Sequence, residues 1–185
     1  NHDGHNYIQR MVARGVEAFI VERDMELPTK RCGMVVVEST LGALQELAAY
    51  HRRQFAGCVV AITGSNGKTI VKEWASRSMP EHVHSFASPK SYNSQLGVPL
   101  SLLMIPEDAD VAVIEAGISK RGEMERLQRV IRPDVGVFTA LGAAHDENFV
   151  GRGEKLSEKM RLFAECKTII FNSSEEGVKL ALREV

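Results

Sequence analysis

Only three cysteines, Cys32, Cys58 and Cys166, occur in the 185-residue chain, far apart and with no Cys-x-x-Cys pair. Their scarcity argues against a disulfide framework and a thiolate zinc site, and points to a reducing compartment, the cytoplasm. No apolar run approaches the roughly 20 residues that a membrane-spanning helix needs, so no membrane insertion is expected. The formal net charge is only -1, which leaves no electrostatic case for nucleic acid or an anionic membrane as a partner. Internal repeats and low-complexity segments are absent. Residues 1–6 lack the basic start and apolar core of a secretory signal. They also lack a Met, and residues 175–185 stop inside a helical pattern, so both ends read as cut from a longer protein. Nothing in the sequence marks an oligomeric state.

The chain does have the composition of an ordinary globular protein, 44% hydrophobic and 25% charged, with length for one domain and part of another. Helical spacing of Tyr7, Ile8, Met11 and Val12 predicts a helix over 6–14 that Gly15 stops. A short buried strand over 17–22 and a second over 34–37 follow. Ser39 or Thr40 would cap a helix reaching about Phe55, with Leu41, Leu44, Leu47 and Ala48 on one face. From Val59 onward, strands and helices alternate. Strands are expected at 59–62, 82–87, 111–117, 135–139 and 168–172. Helices are expected after Lys68, over 96–103 with Pro99 in the first turn, over 123–131, over 154–164 and at the end. Short apolar strands alternating with helices imply an α/β fold, a mostly parallel sheet with helices on both faces.

The stretch Thr63-Gly64-Ser65-Asn66-Gly67-Lys68-Thr69 sits between such a strand and such a helix. Strand, glycine turn, Gly-Lys-Thr and helix form the layout of a phosphate-binding loop. Backbone N–H groups and the helix N-terminus would hold the phosphates, Lys68 would reach the β- and γ-phosphates, and the Thr69 hydroxyl would ligate Mg²⁺. The usual first glycine of that motif is replaced by Ile62. An ordinary strand-to-helix turn with a surface lysine would share the outline but not the coincidence of glycines, lysine and hydroxyl.

Ligands of open α/β sheets bind beyond the carboxyl ends of the strands. Two further groups fall there: Glu115, the acid at the end of the strand over 111–117, and His145, beyond the strand at 135–139. A carboxylate suits Mg²⁺. His145 reads equally as a metal ligand or as a capping or core histidine. His82 and His84 alternate on an expected strand and read as ordinary edge residues.

These segments resemble, in order, those of the Mur ligases, the ATP-dependent amide-forming enzymes of peptidoglycan precursor synthesis. The phosphate loop is one such segment. Others are Asn93-Ser94-Gln95-Leu96-Gly97-Val98-Pro99, Glu115-Ala116-Gly117 with Gly122-Glu123-Met124, and Ala144-His145-Asp146-Glu147-Asn148-Phe149. The opening Asp3-Gly4-His5-Asn6-Tyr7-Ile8 resembles the end of that family's UDP-sugar-binding domain. The resemblance implies that 1–38 is the end of that domain, 39–57 a connecting helix, and 58–185 an incomplete central ATP-binding domain. It implies ATP and Mg²⁺ as cofactors. Lys68 would grip phosphates, Thr69 and Glu115 would hold one Mg²⁺, His145 would help hold a second, and Asn93 would approach the γ-phosphate. Ser91 and Ser94 stand where the family often has Asn. Gly97-Val98-Pro99-Leu100 and Glu115-Ala116-Gly117-Ile118-Ser119 are most similar to the member that adds D-Ala-D-Ala to a UDP-MurNAc-peptide, the tripeptide. Residues 154–159 resemble a subgroup fused to alanine racemase. The alternatives are the member that adds the third amino acid, and a nucleotide-binding switch. The switch is disfavoured because no Asn-Lys-x-Asp follows the loop.

The family also uses a lysine carbamylated by CO₂ as an anionic ligand, and the resemblance puts it at Lys159, with Lys155 one turn earlier as competitor. Without the resemblance, both read as solvated lysines paired with Glu154 and Glu158. The amine-delivering domain of the family has no counterpart here, so the isolated chain is expected to form no amide.

Overall fold

A computed structural model describes residues 3–27, 29–142, 149 and 151–182. The chain divides into two compact units, Asn1–Leu44 and Gln45–Val185.

In the first unit, a 3₁₀ turn at Gly4–Tyr7 runs into α1 (Ile8–Val12). The Asp3 carboxylate caps the turn by accepting the His5 N–H at 3.0 Å. Gly15, at φ +88°, reverses the chain after α1, a conformation that costs glycine little. β1 (Ala18–Val21) then pairs in parallel with β2 (Gly33–Val36), Ala18 opposite Gly33 and Val21 opposite Val36. The expected buried strand is open to solvent: only Val21 of β1 is buried, and Ile20, Val35 and Val36 are exposed. A two-stranded ribbon has too little surface to bury both its faces. α2 (Thr40–Gln54) begins at Ser39, whose Oγ accepts the Gly42 N–H at 3.2 Å. Thr40 does a different job, donating both its N–H and its hydroxyl to Glu22 Oε1. The predicted leucine face of α2 is not its buried face. Leu41 and Leu47 are exposed, and Ala48 alone is fully buried, because the helix docks through its small residues and the neighbouring Ala49 and Phe55.

The second unit is built on a five-stranded parallel sheet in the order β4-β5-β3-β6-β7. Its strands are β3 (Cys58–Thr63), β4 (Ser85–Ala87), β5 (Val111–Glu115), β6 (Val135–Phe138) and β7 (Thr168–Phe171). The order places the phosphate-loop strand in the centre, with Ile62 opposite Glu115 on one side and Thr63 opposite Phe138 on the other. Alternation along the strands sorts side chains to two faces. Val59, Ala61, Ala112, Ile114 and Phe138 face one core, which is closed by α4 (Gly97–Leu102), α5 (Glu123–Ile131) and α6 (Arg152–Met160) with its 3₁₀ extension at Arg161–Phe163. α3 (Lys68–Arg77) covers the other face over β3, β4 and β5 only. Over β6 and β7 that face is partly bare, and Ile170 stays 55% exposed. α7 (Glu176–Ala181) packs against α6.

Several expected boundaries move. The strand expected over 111–117 ends at Glu115, and the Gly117 N–H donates to the Asn93 carbonyl instead. The strand expected over 82–87 begins only at Ser85, because the Val83 N–H closes a turn onto the Pro80 carbonyl. His82 and His84 therefore precede the strand, and the exposed His84 ring sits 3.4 Å from Asp108. Among the described residues, no three His, Cys, Asp or Glu side chains cluster as a metal site. The helix expected over 154–164 starts earlier, at Arg152, and tightens to a 3₁₀ turn after Met160. No helix among the described residues is long and apolar enough to cross a membrane.

In the core, Phe163 packs directly against Gly136: a Cβ at that glycine would come within 2.3 Å of the ring. Gly136→Ala is expected to destabilise the protein by about 1–3 kcal/mol through overpacking. Urea denaturation of the variant and the parent measures it, and an unchanged midpoint would contradict this packing.

Candidate nucleotide-phosphate site

β3 ends in the loop 64–67, and two contacts explain its glycine. Gly64 has φ +144°, and a Cβ there would lie 2.0 Å from the Thr139 hydroxyl. The loop is laced to the end of β6: the Ser65 N–H donates to the Ala140 carbonyl at 2.7 Å, and the Thr139 hydroxyl donates to the Asn66 carbonyl at 2.6 Å. Gly67, at φ +80°, turns the chain into the first residue of α3. Lys68 and Thr69 thus open a helix whose N-terminus carries partial positive charge.

The carboxyl end of β5 brings Glu115 to the same place. Glu115 is almost fully buried, and both its oxygens are engaged. Thr69 Oγ1 donates to Oε2 at 2.8 Å, and Asn93 Nδ2 donates to Oε1 at 2.6 Å. Asn93 is itself held by its carbonyl, which accepts the Gly117 N–H at 2.7 Å. These groups line an open cleft of about 400 Å³ that includes Asn66, Lys68, Thr69, Ser91, Asn93 and Glu115. Ser65 also lines it, and its buried hydroxyl has no hydrogen-bond partner among the described residues, nor does that of Thr63 at the end of β3. A buried hydroxyl left unsatisfied is costly, and a phosphate oxygen is the kind of acceptor that would satisfy it.

Three ammonium groups converge beneath the loop. Lys68 Nζ donates to the Gly64 and Ser65 carbonyls at 2.9 and 3.2 Å. Lys159 Nζ, from α6, donates to the same Gly64 carbonyl at 3.2 Å, and Lys155 Nζ donates to the Gly142 carbonyl. Lys155 and Lys159 are buried, not solvated as their sequence context suggested. Their acidic neighbours are turned to other tasks as well: Glu154 pairs with Arg121 at 3.3 Å, and the buried Glu158 accepts the Met124 N–H of α5 at 3.1 Å. Burial, and then the charges of Lys68 and Lys155, push the Lys159 ammonium down to about 8. Burial also lowers Lys68, against the pull of Glu115. The arrangement is a cationic floor under a row of backbone donors, chemically suited to a polyphosphate. His145 lies outside the described residues. Thr139, which pins the loop, was not singled out from sequence: it stands in no motif, and only the sheet order brings it to the loop. Ser91, noted only as a departure from the family pattern, lines the cleft.

The depressed Lys159 has a measurable consequence. Its ordinary value is 10.5 and its folded value about 8, so between these values the unfolded chain binds more protons and stability rises with pH. Lys159→Met is expected to stabilise the protein at pH 7 by up to about 3 kcal/mol. That gain should shrink between pH 8 and 10. Thermal melts of both proteins across that range measure it, and a pH-independent difference would refute the assigned shift.

Comparison with known proteins accords with this geometry. Residues 62–184 match the Mur ligase middle domain. The UDP-N-acetylmuramoyl-tripeptide–D-alanyl-D-alanine ligase of Bacillus subtilis is 32% identical over 177 residues, 95% of this chain and 37% of that protein. The ligase of the same name from Escherichia coli is 36% identical over 149 residues, 80% of this chain and 32% of that protein. Among solved structures, MurF from Thermotoga maritima in complex with ADP superimposes with a TM-score of 0.87 at 29% identity, covering 98% of this chain and 42% of that one. MurF from Acinetobacter baumannii gives 0.85 at 29% identity, with 97% and 41% covered. The chain thus spans little more than a third of the first of these relatives. A match over 62–184, falling on the sheet and the loop that carry the cleft, establishes that this chain belongs to the Mur ligase family, through its middle domain.

Proposed function

We propose that this chain supplies the nucleotide-binding part of a ligase that joins D-Ala-D-Ala to UDP-MurNAc-tripeptide, with ATP as co-substrate, in peptidoglycan precursor synthesis. One observation carries the reading: the glycine loop with Ser65, Lys68 and the Thr69–Glu115 oxygen pair share a single cleft. The name borne by the relatives, and the ADP in the Thermotoga structure, support the same assignment.

In such a reaction the γ-phosphoryl group passes from ATP to a substrate carboxylate, releasing ADP. The dipeptide amine then attacks the acyl phosphate, a C–N bond forms, and the C–O bond to phosphate breaks. The protein's work is positioning and charge neutralisation. The N–H groups of Asn66 and Gly67 and the N-terminus of α3 cradle the phosphates, while the Ser65 N–H stays on the Ala140 carbonyl. Lys68 exchanges its present acceptors, the Gly64 and Ser65 carbonyls, for phosphate oxygens. Asn93 orients Glu115 through Oε1 and borders the phosphate end of the cleft. A neutral hydroxyl beside a buried carboxylate, 2.8 Å apart, is the oxygen-donor chemistry that Mg²⁺ takes, so Thr69 and Glu115 fit that ion, with His145 and Lys159 completing the proposed set. Mg²⁺ bound there would neutralise phosphate charge and orient the transferred group. Lys159 suits carbamylation because its lowered value leaves a fraction of neutral amine at pH 7. That amine adds to CO₂ with loss of one proton.

In the intact ligase, Lys68→Ala is expected to lower ATP-dependent phosphate release at least about 100-fold while leaving the melting temperature nearly unchanged. Phosphate release with UDP-MurNAc-tripeptide and D-Ala-D-Ala, followed by mass spectrometry of the product, tests the reaction itself. Undiminished turnover in the variant would overturn the phosphate-loop reading. Turnover with a single amino acid and none with the dipeptide would transfer the assignment to the member that adds the third residue.

A further inference from the structure

Of the two α3 cations that the cleft does not use, Arg77 is exposed, whereas Lys72 is 0% exposed. Its place on the helix, one turn after Lys68, turns it inward beneath the loop that follows β4. There its ammonium donates to two backbone carbonyls of that loop, Ser88 at 2.7 Å and Lys90. The exposed Glu73 carboxylate stands 3.5 Å away. A fully buried ammonium is expensive to desolvate, and a Met would fill similar space without that cost. The question is what the charge does.

The loop it grips is bent in an unusual way. Lys90 has φ +49°, one of two non-glycine residues with positive φ among those described, and such a conformation persists where the surroundings impose it. The Lys90 carbonyl that Lys72 holds is the one that this conformation directs toward α3. Beyond it, the Tyr92 N–H closes onto Pro89 and the Asn93 N–H onto the Ser91 carbonyl, at 3.1 and 2.8 Å. That turn delivers Asn93 Nδ2 to Glu115 Oε1. The other gripped residue also leads to Glu115: the Ser88 hydroxyl accepts the Glu115 N–H at 3.2 Å, and the Ser88 N–H donates to Val113 at 2.9 Å. Both carbonyls that Lys72 holds therefore belong to segments that orient Glu115, the one carboxylate of the cleft among the described residues. Thr69, three residues before Lys72 on the same helix, meets that carboxylate from the other side.

We propose that Lys72 is a positioning residue for the metal–phosphate end of the cleft: its ammonium locks the 88–93 loop to α3 so that Asn93 and Thr69 hold Glu115 between them. The inference rests on the nucleotide reading of the cleft. It predicts a separation of effects. The cradle and Lys68 bind phosphate without Lys72, whereas the Glu115 oxygens depend on it. Outer partners of metal-ligating groups typically change metal affinity about 10- to 100-fold when removed.

The test uses the intact ligase, titrated with ADP with and without MgCl₂, and hydrogen exchange of its amides. Lys72→Met is expected to weaken Mg²⁺ binding to the ADP complex at least about tenfold. Metal-free ADP affinity should stay near that of the parent, and exchange should speed up at Asn93 and Gly117. Lys72→Gln, whose amide keeps two N–H donors on a stem one atom shorter, should recover part of the Mg²⁺ response. The double variant with Asn93→Ala should be little worse than the more affected single variant, since both act through one contact. Lys68→Ala is the separate gauge of the cradle and should lose metal-free ADP binding. A folded Lys72→Met protein with the parent's Mg²⁺ response and exchange would overturn the proposal. So would equal defects in the Met and Gln variants, or parallel loss of metal-free binding, since either marks a merely structural lysine. Absence of ADP binding in the parent would instead overturn the nucleotide reading, and the Lys72 proposal with it.

Discussion

The parallel pairing of β3 with β5 on one side and β6 on the other is the constraint from which the cleft follows. Ile62 lies opposite Glu115 and Thr63 opposite Phe138. In a parallel sheet all carboxyl ends emerge at one edge, so the residues just beyond these pairs must meet. The loop of 64–67 therefore has a neighbour strand on each flank. On the β6 side, Thr139 and Ala140 take up the loop's backbone groups. On the β5 side, Glu115 takes up the Thr69 hydroxyl. Gly64 is required because this convergence leaves no space: the hydroxyl of Thr139 occupies the position of its missing Cβ.

Electrostatics then divides the site in two. Beneath the loop, Lys68, Lys155 and Lys159 crowd backbone carbonyls, and the Lys159 ammonium is driven down by burial and by its two neighbours. At the front, one buried carboxylate is fully hydrogen-bonded by Thr69 and Asn93. Concentrating like charges in a desolvated pocket costs stability. A bound polyanion would remove that cost, which is the usual relation between a strained site and its ligand. Glu158 shows how the fold supports the arrangement at a distance. By accepting an N–H at the start of α5, it fixes the rotation of α6, and with it the direction of its neighbour Lys159.

Much of the architecture could be read from the order of residues alone. Apolar runs of four to six residues separated by amphipathic helices imply a parallel sheet, because only crossover helices can join such strands. The loop was equally legible, since strand, glycines, Gly-Lys-Thr and helix are contiguous. Short boundaries were less so. The turn at Pro80 shortened β4, and the apolar run within 17–22 suggested burial that a two-stranded ribbon does not provide.

The sequence by itself determined the local matters: which segments become strands, where the glycine turn falls, that Lys68 and Thr69 open a helix, and that Glu115 closes a strand. Each depends on neighbours within a few residues. Only the tertiary structure decided which distant groups share the cleft. Lys155 and Lys159 stand among glutamates at helical spacing and read as a solvated face, yet packing of α6 turns them inward to the Gly142 and Gly64 carbonyls. Lys72 reads as one more helical lysine, yet it is fully buried against a loop that chain order does not connect to it. Thr139 gains its role because β6 lies beside β3. Burial and long-range hydrogen bonding arise from the order of strands in the sheet, and that order is a property of the folded chain as a whole.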